Sequence, residues 1–161
     1  PRVLMISIHQ WPLYPGTGSE EEIGELEGKG FTVNVPLPPG ATGSTYRSAL
    51  DKIVVPLVED FQADWILVSA GFDAHREDPL TDMGLTSGDF ADLTLNLFNL
   101  APKNRCIFFL EGGYNLQALT DSVTASFASI MGINSRPESA TGDGPGVEVV
   151  NRVAKSHGVI L

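Results

Sequence analysis

Four short, nearly continuous apolar runs, separated by stretches of helical periodicity, constrain this chain more than any other feature. They are Val3–His9, Phe31–Val35, Trp65–Ala70 and Cys106–Glu111. Runs of this kind read as parallel strands covered on both faces. In the second, Thr32 and Asn34 alternate with apolar neighbours, which makes it the least continuous of the four. Between and after the runs lie helical stripes. Tyr46, Leu50, Ile53, Val54, Leu57, Val58 and Phe61 form the first, and Pro56 inside it predicts a bend or a restart. Thr86 is placed to cap a helix carrying Phe90, Leu93, Leu97 and Phe98. Asn115 is placed to cap one carrying Leu119, Val123, Phe127 and Ile130, with Gly132 as its stop. The stripes are expected to face the core. Strands alternating with helices predict an α/β fold, a mostly parallel sheet flanked by helices.

Residues 10–30 and 36–44, rich in Gly, Pro and Glu, read as loops. Residues 134–146 read as a polar surface linker, and Val147–Ser156 as a last short helix. The 161 residues suit a single domain, and 42% hydrophobic content suffices for a core. The net charge of −10 disfavours direct binding to nucleic acid. No apolar stretch is long enough to span a bilayer, so no membrane partner is expected. The single cysteine, Cys106, excludes a disulfide framework within the chain. That fits a reducing, cytoplasmic setting. The sequence opens on Pro1-Arg2-Val3-Leu4 without an initiator Met, as a chain cut from something longer would.

Ligands of open parallel sheets bind beyond the carboxyl ends of the strands. Here three strands end in unusual chemistry. The first delivers Ser7-Ile8-His9 and then a loop containing Tyr14. The third delivers Gly71-Phe72-Asp73, and the fourth Glu111-Gly112-Gly113-Tyr114. A carboxylate at the position of Asp73 serves as a helix cap, a turn former or a metal ligand. His75 lies two residues on, but the turn-like composition of "AHREDP" argues that the two do not point the same way. Tyr114 follows paired glycines. It reads either as a partly buried turn residue or as a hydroxyl donor aimed at a polarised carbonyl. No Walker loop and no G-x-S-x-G elbow is present.

The motifs "SIHQWPLYPGTG", "KGFTVNVPLPPG", "SAGFDAHREDPL" and "EGGYNL", in that order, resemble the histone deacetylase superfamily, in particular its bacterial class II-like and acetoin-utilisation-type members. The resemblance runs from about residue 3 to residue 132. It implies an arginase-like α/β fold and a zinc-dependent hydrolase that removes acetyl groups from lysine, polyamines or other small amines. By that resemblance Asp73 is a zinc ligand, and Tyr114 donates to the acetyl carbonyl and its oxyanion. Tyr14 and Leu80 line the acyl tunnel, and Gly112 and Gly113 let substrate pass close to the backbone. Ser7 and the Ile8 carbonyl would hold a monovalent cation, with potassium the candidate. The resemblance gives His75 no ligand role.

One part of the family pattern is missing. Its Asp-x-His zinc ligands and tandem histidines find no counterpart here, so the chain corresponds to the C-terminal portion of a catalytic domain. A single carboxylate falls short of the three or four ligands of a zinc site. The chain alone is therefore expected to be inactive. A non-catalytic binding or assembly module on the same half-fold is the alternative, and an unrelated small-molecule binder a third. A half sheet would expose apolar edge and face, which predicts a homo-oligomer or a complementing N-terminal half.

Overall fold

The computed structural model describes residues 1–159. Strands β1 (Met5–Gln10), β2 (Thr32–Leu37), β3 (Ile66–Ala70) and β4 (Cys106–Leu110) lie within a residue or two of the four apolar runs. Each extends parallel to a neighbour. The ladders form two pairs, β1 with β2 and β3 with β4, and no ladder joins the pairs among the described residues. The strand β2 runs on through Pro36, which pairs with His9. A proline is tolerated there because β2 lies at the edge of its pair.

The first helical stripe spans three segments. They are α1 (Gly43–Ala49), a π-helical turn (Leu50–Val54) and α2 (Val55–Phe61). Pro56 occupies the start of α2. A proline clashes with the carbonyl four residues back and offers no N–H. The wide π turn just before it opens the ladder where the tight α repeat would fail. Three more helices follow, α3 (Ser87–Leu100), α4 (Leu116–Ile130) and α5 (Val147–Ser156). Thr86 precedes α3, and Asp89 reaches back to the Thr86 amide at 3.0 Å. The Asn115 side chain accepts from the Gln117 and Ala118 amides, each at 3.1 Å, and so starts α4. Gly132, at φ +70, ends it.

The core joins the fully buried β2 residues Val33, Val35 and Leu37 to Ala49 of α1, Ile53 of the π turn, Phe90 of α3, and Val150 and Val153 of α5. The expectation of cover on both faces fails for β3 and β4. Leu67, Ile107 and Phe109 stay exposed on one face of this pair. Phe127, expected in the core, is also exposed. The helices α3 and α4 pack together, with Thr94 Oγ1 donating to Ser126 Oγ at 3.0 Å, and the buried face of α4 is made of small residues, Ala118, Ser122, Ala125, Ser126 and Ala128.

Residues 134–146, expected as a linker, are stitched to the body of the fold. The buried Asp89 carboxylate accepts from Arg47 at 2.7 Å, from the Thr141 amide at 2.9 Å and from the Thr141 hydroxyl at 2.8 Å. His75, almost fully buried, takes the Glu77 amide on Nδ1, so its proton sits on Nε2 and is donated to Glu138 at 2.8 Å. His75 is thus a structural hydrogen-bonding residue.

This stitching predicts an acid-sensitive stability. Burial pushes the Asp89 carboxyl up, but the Arg47, Thr141 and Thr86 donors outweigh it and hold it below its ordinary value. Burial also opposes ionisation of Glu138, and Ser87, His75 and Arg76 outweigh it there. A carboxyl depressed in the folded state stabilises fully above its unfolded pKa. That stabilisation is lost as pH falls through the folded value. Urea denaturation of Asp89→Asn should show a deficit that is constant from about pH 7 to 5 and narrows below about pH 4. A deficit independent of pH would contradict this.

Candidate active site

The segment that follows β3 ties the strand tips together. At the end of β1, the Gln10 side chain accepts from the Asp82 amide at 2.8 Å. At the end of β4, the Gly112 carbonyl accepts from the Phe72 amide at 2.9 Å. Thr81 Oγ1 donates to the Asp73 carbonyl at 2.6 Å, folding residues 73–82 back on themselves. The tips of β1, β3 and β4 are therefore held to one loop.

Asp73 lies at the centre of this loop system. Its carboxylate rests on Gly112, two residues before Tyr114 in the chain. A Cβ on Gly112 would lie 2.6 Å from the Asp73 Cγ, and one on Gly71 would lie 2.8 Å from Oδ1. Two glycines thus form a cradle that any side chain would fill. No donor from another described residue reaches the Asp73 carboxylate. Burial first, and then the nearby negative charge of Asp78, hold its carboxyl above the ordinary aspartate value. A half-buried acid with open acceptor oxygens fits one ligand position of a cation, whose charge would offset the desolvation. It fits one position only. Among the described residues, no group of three or more His, Cys, Asp or Glu side chains is placed to hold a metal ion.

The Gly112 cradle makes a direct prediction. Replacing Gly112 by Ala forces the Asp73 carboxylate, the unheld end of a half-buried side chain, to swing away, at a cost in stability of no more than about 1 kcal/mol. Gly112 is outside the left-handed region that burdens Gly113, at φ +133, so the substitution isolates the clash. A crystal structure of Gly112→Ala with the Asp73 carboxylate unmoved would contradict the cradle.

Tyr114 is 60% exposed, and its backbone is anchored at the Asp73 loop. Leu80 is half exposed and belongs to that loop as well. Tyr14 is 94% exposed, in the turn closed by the Gly16 amide on the Leu13 carbonyl. Gly113 would meet Leu119 and Phe72 if it carried a Cβ. On β1, the Ser7 hydroxyl lies 2.9 Å from His9 Nδ1, and Ile8 pairs with Val35. His9 Nε2 bonds the Gly18 carbonyl at 3.0 Å. Cys106 is half-buried, and burial pushes its thiol up, away from nucleophilic character.

Asp78, Gln10 and Asp82 carry much of this geometry and were not among the residues the sequence pointed to. Asp78 sits in the turn-like "REDP" stretch, where an acid reads as a turn former. Its long-range partners leave no local signal.

A family model described as the histone deacetylase domain matches residues 1–130. Histone deacetylase 14, chloroplastic, of Arabidopsis thaliana is 43% identical over 138 residues, covering 84% of this chain and 33% of the relative. A protein of Archaeoglobus fulgidus described as a probable deacetylase is 44% identical over 119 residues, covering 72% of this chain and 33% of the relative. A crystal structure of the HDA15 HD domain superposes with a TM-score of 0.83 at 34% identity, covering 96% of this chain and 43% of that one. The chain spans about a third of the length of these curated relatives.

Proposed function

This chain belongs to the histone deacetylase family, and from that membership we propose that it supplies the Asp73–Tyr114 side of a zinc-dependent amide-hydrolysing centre. The substrate class is an acetylated amine, either acetyl-lysine or an acetylated polyamine or other small amine. One observation carries the reading. An open, half-buried carboxylate at the tip of β3 rests on the loop that presents Tyr114 from the tip of β4.

Zinc in such a centre acidifies a bound water and polarises the amide carbonyl. This chain's own part is to supply the Asp73 carboxylate as one ligand and to hold it rigidly at a strand end. Tyr114 directs its hydroxyl to the acetyl oxygen and donates to the charge that develops there. Leu80 and Tyr14 line the path of the acyl group. Gly112 and Gly113 keep the backbone bare beside it. Ser7 and the Ile8 carbonyl bind a monovalent cation, with potassium the candidate.

The remaining ligands and the general base come from the rest of a deacetylase domain. The same remainder is the partner that covers Leu67, Ile107 and Phe109 and the unpaired strand edges. Supporting this occupant, the HDA15 HD domain is matched over only 43% of its length while the superposed part agrees closely.

The test is an amide-hydrolysis assay on an acetyl-lysine peptide with zinc supplied. The full-length protein should turn over, and residues 1–161 alone should not. Turnover by residues 1–161 alone, abolished in Tyr114→Phe, would contradict the division of ligands. No turnover by the full-length protein on acetyl-lysine or acetylated polyamines would contradict the function.

A further inference from the structure

We propose that Asp78 is a positioning residue that sets the place of Tyr114 relative to Asp73. The inference rests on the deacetylase reading for its catalytic consequence but not for its geometry. Asp78 is 6% exposed. Its Oδ2 accepts from the Tyr114 amide at 2.6 Å and from the Asn115 amide at 3.1 Å. Its Oδ1 accepts from the Leu80 amide at 3.0 Å. One carboxylate therefore collects backbone donors from the loop of the proposed oxyanion donor and from the loop of the proposed ligand.

Asp78 is itself fixed. Its own amide donates to the His75 carbonyl at 2.9 Å, and His75 is locked to Glu138. A second strand of the same tie runs from Asn115 Nδ2 to the Glu77 carbonyl at 2.9 Å. Tyr114 depends on this anchor because little else holds it. Its side chain is 60% exposed, so packing does not orient it. Just before it stands Gly113, at φ +133, a residue with wide backbone freedom. Between β4 and α4, the loop is pinned to the Asp73 side by Phe72 on Gly112 and by Asp78 on Tyr114 and Asn115.

The chemistry requires a carboxylate. It offers acceptor sites on both oxygens and no donor. An asparagine offers one oxygen and turns an NH₂ toward an incoming N–H, so at least one of the three amides loses its partner. Asp78 also bonds the amide of Asn115, which caps the N-terminus of α4, an end where a negative charge is favourable.

The test is a double-mutant cycle in the full-length, zinc-supplied protein on an acetyl-lysine peptide, with amide hydrogen exchange beside it. Asp78→Asn should lower kcat by about 10- to 100-fold, as misplacement of a reacting group by about 1 Å does, with KM little changed. In the Tyr114→Phe background the same substitution should cost almost nothing further, because its effect passes through the phenol. An equal loss in both backgrounds would overturn the proposal and leave Asp78 a general structural residue. The exchange arm needs neither activity nor a variant. In the parent protein the Tyr114 and Asn115 amides should be protected although Tyr114 lies exposed, and free exchange there would overturn the proposal. Absence of turnover in the parent would count against the deacetylase reading, and exchange would still decide on the anchor.

Discussion

Tyr114→Phe, made in this chain completed by the rest of a deacetylase domain and supplied with zinc, should lower kcat by about 10²–10³-fold, the effect of losing one oxyanion donor. The expectation follows from the position of the residue. Tyr114 stands on the loop that touches the Asp73 carboxylate, and its backbone is held there by Asp78. The phenol packs little, so removing the hydroxyl should leave the melting temperature within about a degree of the parent, as for most exposed substitutions. Steady-state kinetics and a thermal melt on the same preparation check both parts. A kcat within twofold of the parent would remove Tyr114 from the reaction. A large fall in melting temperature would assign it a structural part instead.

Asp89→Ala should destabilise the fold by about 3–5 kcal/mol, the range for breaking a buried ion pair. Asp89 is fully buried and bonds Arg47, both donors of Thr141 and the Thr86 amide. Its loss would leave the partly exposed Arg47 guanidinium only the Thr141 carbonyl and Asp92 as partners, and would uncap α3. It would also cut the two bonds that hold Thr141 to α3, while Thr42, Thr45 and Ser87 keep the rest of the 138–146 strap in place. Asp92 provides the contrast. It pairs with Arg136 at 2.6 Å but is a quarter exposed, and Asp92→Ala should cost under about 1 kcal/mol. Chemical denaturation of the two variants side by side measures the difference. Equal losses would contradict the assignment of Asp89 as the hub.

The elements were largely legible because their signals are local. Continuous apolar runs marked β1 to β4. Thr86, Asn115 and Gly132 marked helix ends through preferences that act within one turn. What covers each face was not legible. The run Trp65–Ala70 reads as doubly buried, yet Leu67 faces solvent in this chain, since hydrophobicity states a need for cover and not its source. Phe127 failed for the same reason, the buried face of α4 being made of Ala and Ser. Residues 134–146 have no periodicity, so their attachment through Glu138 and Thr141 to partners some fifty residues earlier left no pattern to read. At the site, Asp73 and Tyr114 stood out because an acid and a phenol interrupt the apolar strand ends. Asp78 did not, because its three amide partners are backbone groups that any sequence carries.

The most direct test of the account is the position of the metal in this chain completed by the rest of a deacetylase domain. Crystals grown with zinc, with the ion located by anomalous scattering at its absorption edge, should place it about 2.0–2.2 Å from an Asp73 carboxylate oxygen, on the side of the loop that carries Tyr114. A zinc ion bound elsewhere, with Asp73 turned into a hydrogen bond to its own protein, would contradict it.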